Sequence, residues 1–273
     1  MNYIRPPQVA GYFYPSNPDK LRKELKLLLD VAKPKEKIEK VFGIVSPHAG
    51  YVYSGKTAAH AYNLLIGKKY KRVVVISPSH SEYFPGICIF EGDAYETPLG
   101  ILEVDKEFRE KLETDDGIIF KGYEGHKREH ALEVQLPFLQ TVLEDFKIIP
   151  VVMGDQSRRN VDALAKKLAE VADDETLIVA SSDMSHFYSK SKADKMDSIV
   201  EKRVREFDFN SLQNDLDNHN CEACGGGPIL VLMKAANLKN IRHSMVLHRS
   251  DSGDVTGDSK EVVGYLSAVV YGD

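Results

Sequence analysis

Imidazole and thiol are the side chains in this sequence best equipped for metal and proton chemistry near neutral pH, and both occur in patterned places. His48 follows the apolar run Val41–Val45 across Ser46-Pro47, and His80 follows Arg72–Ile76 across Ser77-Pro78-Ser79. In a third case Leu177–Ala180 leads through Ser181, Ser182, Asp183, Met184 and Ser185 to His186. An imidazole titrates near pH ~6.5, so it can move a proton at working pH or give a nitrogen lone pair to a transition metal. Cys221 and Cys224 form a C-x-x-C pair, the spacing of a thiol-redox motif or of half a zinc site, but the second pair that a structural zinc needs is missing. Cys88, inside the apolar run Ile87–Phe90, reads as a small buried strand residue.

The histidines can act together only if strands carry them to one place. Each apolar run reads as a buried strand, broken by Ser, Pro and Gly. In an open parallel α/β sheet, ligands gather outside the carboxyl ends of the strands, so three such loops would converge on one site. Taken singly, each histidine reads more readily as a group that bonds within its own loop; the repeated context shifts the balance to convergence. His130 and Glu133, three apart on a predicted helix, share a face and would orient a partner, bind a metal or form a plain ion pair.

The intervening segments read as helices. Asn17 starts one whose Leu21, Leu25, Leu28, Leu29 and Ala32 share a face before Pro34 stops it. Lys56–Ile66, Asp105–Glu113, Val161–Val171, Lys192–Arg205 and Ile229–Ala236 follow, with His60 as a packing or surface residue in the first of these. Lys147–Met153, Ile241–Leu247 and Glu261–Tyr271 read as further strands. Pro228 at a helix's first position, after three glycines, gives an approachable N-terminus that favours anions and lowers a nearby thiol's pKa. Phe13 and Tyr14, in a proline-rich opening arm, either line a pocket or pin the arm to the core. With no repeat or linker, residues 1–273 read as a single α/β domain.

A net charge of -5 gives no bulk electrostatic reason to bind nucleic acid or an anionic membrane. No apolar run reaches the roughly 20 residues of a membrane span, and the start lacks a signal peptide's apolar core, so the expected location is cytoplasmic.

Five ordered motifs carry a resemblance: SPHAGYVYSG around His48, SPSH ending at His80, EHALEVQLP from Glu129, SSDMSH ending at His186, and CGGGP from Cys224. Together they resemble the Memo family, whose bacterial and archaeal members are also called AmmeMemoRadiSam system protein B. The resemblance implies a three-layer αβα fold with a mostly parallel or mixed sheet, like that of class III extradiol dioxygenases. It implies a pocket formed by His48, His80, Asp183, His186 and Cys224, with His48, His80 and Cys224 as ligands for iron or copper. It also selects Cys224 over Cys221.

Non-haem iron enzymes hold their metal with two histidines and a carboxylate. Here His48 and His80 would be the imidazoles, with the Cys224 thiolate or Asp183 as third ligand; a thiolate suits copper or zinc as readily as iron. His186 would then be the acid/base and Asp183 its orienting partner. Tyr51, Tyr53, Phe13 and His130 would contact a substrate, although aromatics packing the base of a loop are an equal reading for the tyrosines. The expected activity is that of a metal-dependent oxidoreductase on a small redox substrate. The family resemblance also implies a binding or adaptor role for peptides, phosphotyrosine peptides among them, but Phe13 stands where animal members carry tryptophan and no arginine cluster flanks the motifs. A third implication is partnership with a radical S-adenosylmethionine (radical SAM) enzyme and an AMMECR1-type protein, this chain having no three-cysteine cluster motif of its own.

Overall fold

The computed structural model describes residues 3–34 and 37–272. It opens with the short strand β1 (Ile4–Arg5), an irregular arm, and α1 (Pro18–Val31), whose first amides are capped by the Asn17 side chain. Then come β2 (Lys40–Ser46), α2 (Tyr51–Asn63), β3 (Arg72–Pro78), β4 (Ile87–Phe90), the hairpin β5 (Ala94–Thr97) and β6 (Gly100–Glu103), α3 (Lys106–Leu112) and β7 (Ile119–Gly122). Two short helices, α4 (His130–Glu133) and α5 (Leu136–Val142), lead to β8 (Lys147–Met153), α6 (Arg158–Val171), β9 (Thr176–Ser181) and β10 (Asp183–Tyr188). The remainder holds α7 (Lys190–Arg205), α8 (Phe209–Asp217), α9 (Gly226–Leu238), β11 (His243–Asp251), α10 (Gly253–Thr256) and β12 (Val262–Gly272).

The main sheet runs β10-β12-β2-β9-β3-β8-β4-β7, with β11 on the other edge of β12; β1, β5 and β6 form a small second sheet. Its centre, β2-β9-β3-β8, is parallel, and antiparallel β12 and β4 flank it, so the sheet is mixed. The central strands are apolar on both faces, as strands sandwiched between helices must be. Val73 and Val75 pack with Leu21, Leu25, Ala58 and Tyr62 of α1 and α2 on one side. Val74 and Ile76 pack with Leu164 and Leu168 of α6 and with α9 on the other. The architecture is therefore three-layered αβα. Because β9 lies between β2 and β3, and Ser46 pairs with Ser181, the loops leaving these three strands emerge side by side.

Three elements depart from the sequence reading. Helix α2 begins at Tyr51, not Lys56, because the Tyr51 amide donates to the Phe13 carbonyl at 2.8 Å and Gly50 opens the helix. His186 lies on a strand: β10 pairs antiparallel to β12, a tertiary pairing that polar SSDMSH does not announce. Helix α9 starts at Gly226, which makes Pro228 its third residue.

Helix α7 packs over β10 and β12, and its Asp197 carboxylate is buried, accepting the Ser185 amide at 3.1 Å. Burial pushes this carboxyl up to about 6 from an ordinary 3.8. The folded state thus holds the proton more tightly than the unfolded chain; stability is fully present below about pH 4, falls as pH rises towards 6, and stays lower above. Asp197→Asn is expected to raise the unfolding free energy at pH 7.5 by about 1–3 kcal/mol, the upper value being two units at ~1.4 kcal/mol each. Urea titrations at pH 4.5 and 7.5 check this, and an equal effect at both would refute it.

Candidate metal centre

His48 leaves β2 and turns its ring back over the end of β9. Its Nδ1 lies 2.9 Å from Ser181 Oγ. That hydroxyl already donates to the Ala131 carbonyl at 2.7 Å and accepts from Gln135 Nε2 at 2.8 Å. The Gln135 amide is itself fixed, since its Nε2 donates to the Pro47 carbonyl and its Oε1 accepts from Tyr62 Oη. With its one proton committed, Ser181 can only accept from His48, so Nδ1 carries the hydrogen and Nε2 is left with a bare lone pair. Burial first, and then the neighbouring His80, hold the His48 pKa well below the ordinary value, so the ring is neutral at working pH.

His80, at the end of β3, is oriented by a different device. Glu129 accepts the His80 amide at 2.7 Å on one oxygen and His80 Nδ1 at 2.9 Å on the other. Burial works to lower the His80 pKa, but the Glu129 hydrogen bond and charge outweigh it and raise it. A carboxylate behind an imidazole also fixes its tautomer and makes the opposite nitrogen a better ligand. Sequence reasoning missed Glu129, Ser181 and Gln135. The spacing pairs Glu133 with His130, as an orienting or metal-binding pair or as a plain ion pair; in the structure the Glu133 carboxylate pairs with Arg5.

The third donor is Cys224. Its Sγ lies 3.0 Å from His48 Nε2 and accepts the Asp183 amide at 3.3 Å. Ligand atoms of His48, His80 and Cys224 all lie within 4.8 Å of one another; His80, Glu129 and His130 form a second such group. The lowering of the thiol's pKa that the sequence predicts is outweighed: burial, and then the Asp183 charge, push Cys224 well above its ordinary range against the opposing pull of the Gly225 amide. A bound cation reverses that, because a coordinating thiol is deprotonated outright. The donor set of two imidazoles and a soft sulfur therefore fits copper, iron or zinc.

The close approach of Cys224 to β9 requires a glycine behind it. A Cβ on Gly225 would stand 2.1 Å from the Ser181 carbonyl oxygen and 2.7 Å from Ser182 Cβ. Gly225→Ala should push the Cys224 loop off the strand, costing about 1–3 kcal/mol of stability, as other overpacking substitutions do. An unchanged unfolding midpoint would contradict it.

Asp183 accepts the His48 amide at 2.7 Å, and burial raises its carboxyl to about 7. Its acceptor bonds go to the amides of His48 and Ala49, so it positions the His48 loop where the sequence reading had it orienting His186. In a regular strand, residues three apart point to opposite faces. A register shift between Asp183 and His186 lets both line one cleft of about 490 Å3, together with Phe13, Tyr53 and His130. Tyr51 does not join them: it is buried beneath, donating to the Val134 carbonyl at 2.7 Å and packed against Tyr14 and Phe138. The His130 ring lies tilted against Phe13 and beside His80, with ring centroids 4.9 and 4.6 Å away. A second cavity of about 450 Å3 lies on the far side of His186, lined by Cys221 and Cys224.

Fold and site together define a class: an αβα protein whose parallel strand ends gather two tautomer-fixed histidines and a cysteine. The Memo-like protein family model matches residues 5–269, and the chain belongs to that family. A MEMO1 family protein of Thermoplasma volcanium is 37% identical over 268 residues, covering 97% of this chain and 98% of its own. The corresponding protein of Methanocaldococcus jannaschii is 36% identical over 287 residues, covering 99% of this chain and 100% of its own. One from Aquifex aeolicus is 38% identical over 268 residues, covering 97% and 98%. A crystal structure of an uncharacterized Escherichia coli K12 protein shares the fold with a TM-score of 0.54 at 13% identity, covering 84% of this chain and 98% of the other. Among the described residues, no helix is long and apolar enough to cross a membrane.

Proposed function

We propose that this protein is a metal-dependent oxidoreductase, with His48, His80 and Cys224 holding iron or copper and the cleft at Asp183 and His186 taking a small substrate. Zinc is the further ion that this donor set accepts. The observation that carries the reading is the pair of committed tautomers: Nδ1 of His48 is bound to Ser181 and Nδ1 of His80 to Glu129. Both Nε2 lone pairs are thereby kept for a third party beside the Cys224 sulfur.

When bound, iron or copper supplies one-electron redox chemistry. The chain's own groups do the rest. Burial lowers the His186 pKa below its ordinary value, so its imidazole is neutral at pH 7 and can take a proton from a substrate hydroxyl. Phe13 and Tyr53 line one side of the cleft. The test is anaerobic purification with elemental analysis, followed by oxygen uptake with catechols and other reductants. Near-stoichiometric metal, with turnover lost in His186→Ala while the metal stays bound, is the expected result. Metal-loaded protein without turnover on any of them would overturn the oxidoreductase reading.

A further inference from the structure

The rim of the 490 Å3 cleft has a chemistry of its own. Phe187 follows His186 on β10 with φ +62, the left-handed region, which a bulky side chain rarely adopts. It is held there from both sides. Register shifts flank His186 in the pairing with β12. Beyond it, Tyr188 donates to Glu222 at 2.6 Å and carries Lys192 Nζ over its ring at 3.8 Å. This strained backbone buries nothing: Phe187 is 70% exposed, and it lines the cleft along with Tyr12, 88% exposed, and Tyr53, 43% exposed. Three aromatic rings are thus left in water around one opening.

The charged groups on that rim have one sign. Asp258 and Glu261 line the cleft and are exposed, while no lysine or arginine is among the described residues lining it. Of the basic residues nearby, Lys190 is bound to Asp251 and Asp254, and Lys260, exposed between Asp258 and Glu261 in the sequence, is not among the residues that line the cleft. A phosphate or carboxylate would meet carboxylates in the lining and no lysine or arginine there. A positive charge would meet two carboxylates and the faces of aromatic rings, both of which attract it.

We propose that the cleft takes a small aromatic ligand bearing a cationic substituent, its ring against Phe187 and Tyr53 and its charge at Asp258 and Glu261. Phe187 is then a specificity-determining residue, and its unfavourable backbone is kept because it aims the ring over the opening. The inference names the ligand class for the site of the proposed oxidoreductase, but it does not need a metal to be bound.

The test uses three small aromatic probes: tyramine, 3-(4-hydroxyphenyl)propionate and phenyl phosphate. Each is titrated calorimetrically into the whole chain, as purified and after removal of metal by a chelator. Tyramine is expected to bind roughly tenfold or more tighter than either anion, in both preparations. Phe187→Gly, which suits the left-handed backbone, should weaken tyramine binding about tenfold while leaving the thermal midpoint unchanged or higher. Asp258→Asn with Glu261→Gln should abolish the preference for tyramine. Tighter binding of either anion, no binding of tyramine, or full affinity in Phe187→Gly would each overturn the proposal. Tyramine binding by a chain that takes up no iron or copper, either on purification or on reconstitution, would leave it standing and defeat the oxidoreductase reading alone.

Discussion

Cys224→Ser is expected to lower the affinity for copper or iron by more than roughly 100-fold, beyond the ~10–100-fold range typical of losing a hydrogen-bond partner behind a ligand. The serine hydroxyl is a hard, protonated donor in a place where burial already keeps even the thiol neutral. His48→Ala should match it, since His48 Nε2 lies against the same sulfur at 3.0 Å. Glu129→Gln probes the support and not the ligand: an amide oxygen can still accept from His80 Nδ1, but without the charge that raises the ring's basicity, so the expected loss is about 10–100-fold. Competition with a chromophoric chelator measures all three. Wild-type affinity in Cys224→Ser would remove the sulfur from the site. A Glu129→Gln loss equal to that of Cys224→Ser would make the carboxylate itself a ligand, as its place in the second donor group allows.

The second large effect is expected far from the sulfur, at Arg5. Its guanidinium is buried and donates to the His126 carbonyl at 2.6 Å, the Glu129 carbonyl at 2.7 Å and Glu133 at 2.7 Å. Glu133 in turn accepts from the amides of Gln8 and Val9 and from Tyr14 Oη at 2.7 Å. Arg5→Ala leaves a fully buried carboxylate without its cation, a change that typically costs about 3–5 kcal/mol. It also frees the arm that carries Phe13 to the cleft and one of the ties on Glu129. Urea unfolding should show the loss, and metal affinity should fall with it because Glu129 orients His80. A double-mutant cycle with Glu133→Gln should give strong coupling, since each single change strands the other's buried partner. A loss below about 1 kcal/mol for Arg5→Ala would mean that the arm is not held by this pair.

Much of this site is legible from sequence because the strands that deliver it are locally self-evident. Val41–Val45, Arg72–Ile76 and Leu177–Ala180 are apolar runs closed by Ser, followed by Pro in the first two, and each becomes a central parallel strand. Their ends therefore could be placed side by side before any side chain was. What the sequence hides is the support. Ser181 and Gln135 meet at one hydroxyl across 46 residues, and Arg5 meets Glu133 across 128, separations over which no periodicity speaks. The i,i+3 spacing of His130 and Glu133 suggested a partnership, but α4 is only four residues long and the arm claims the carboxylate. Helix α2 began five residues early for a related reason: its first amide is capped by the Phe13 carbonyl, from a segment that local reading treats separately. His186 was placed on a loop because strand β10 owes its existence to β12 and not to its own residues.

Strand β12 pairs with β2 on its one side, with β11 on the other, and with β10 near its start. During synthesis β2 leaves the ribosome long before β12 does. Until then its outer edge presents an open row of backbone donors and acceptors, along a strand that is apolar on both faces, which is the kind of surface that recruits a second nascent chain. The His48 loop hangs from that same strand, and Cys224 is also translated late. The growing polypeptide therefore passes through a long interval with an unguarded edge and a half-made ligand set.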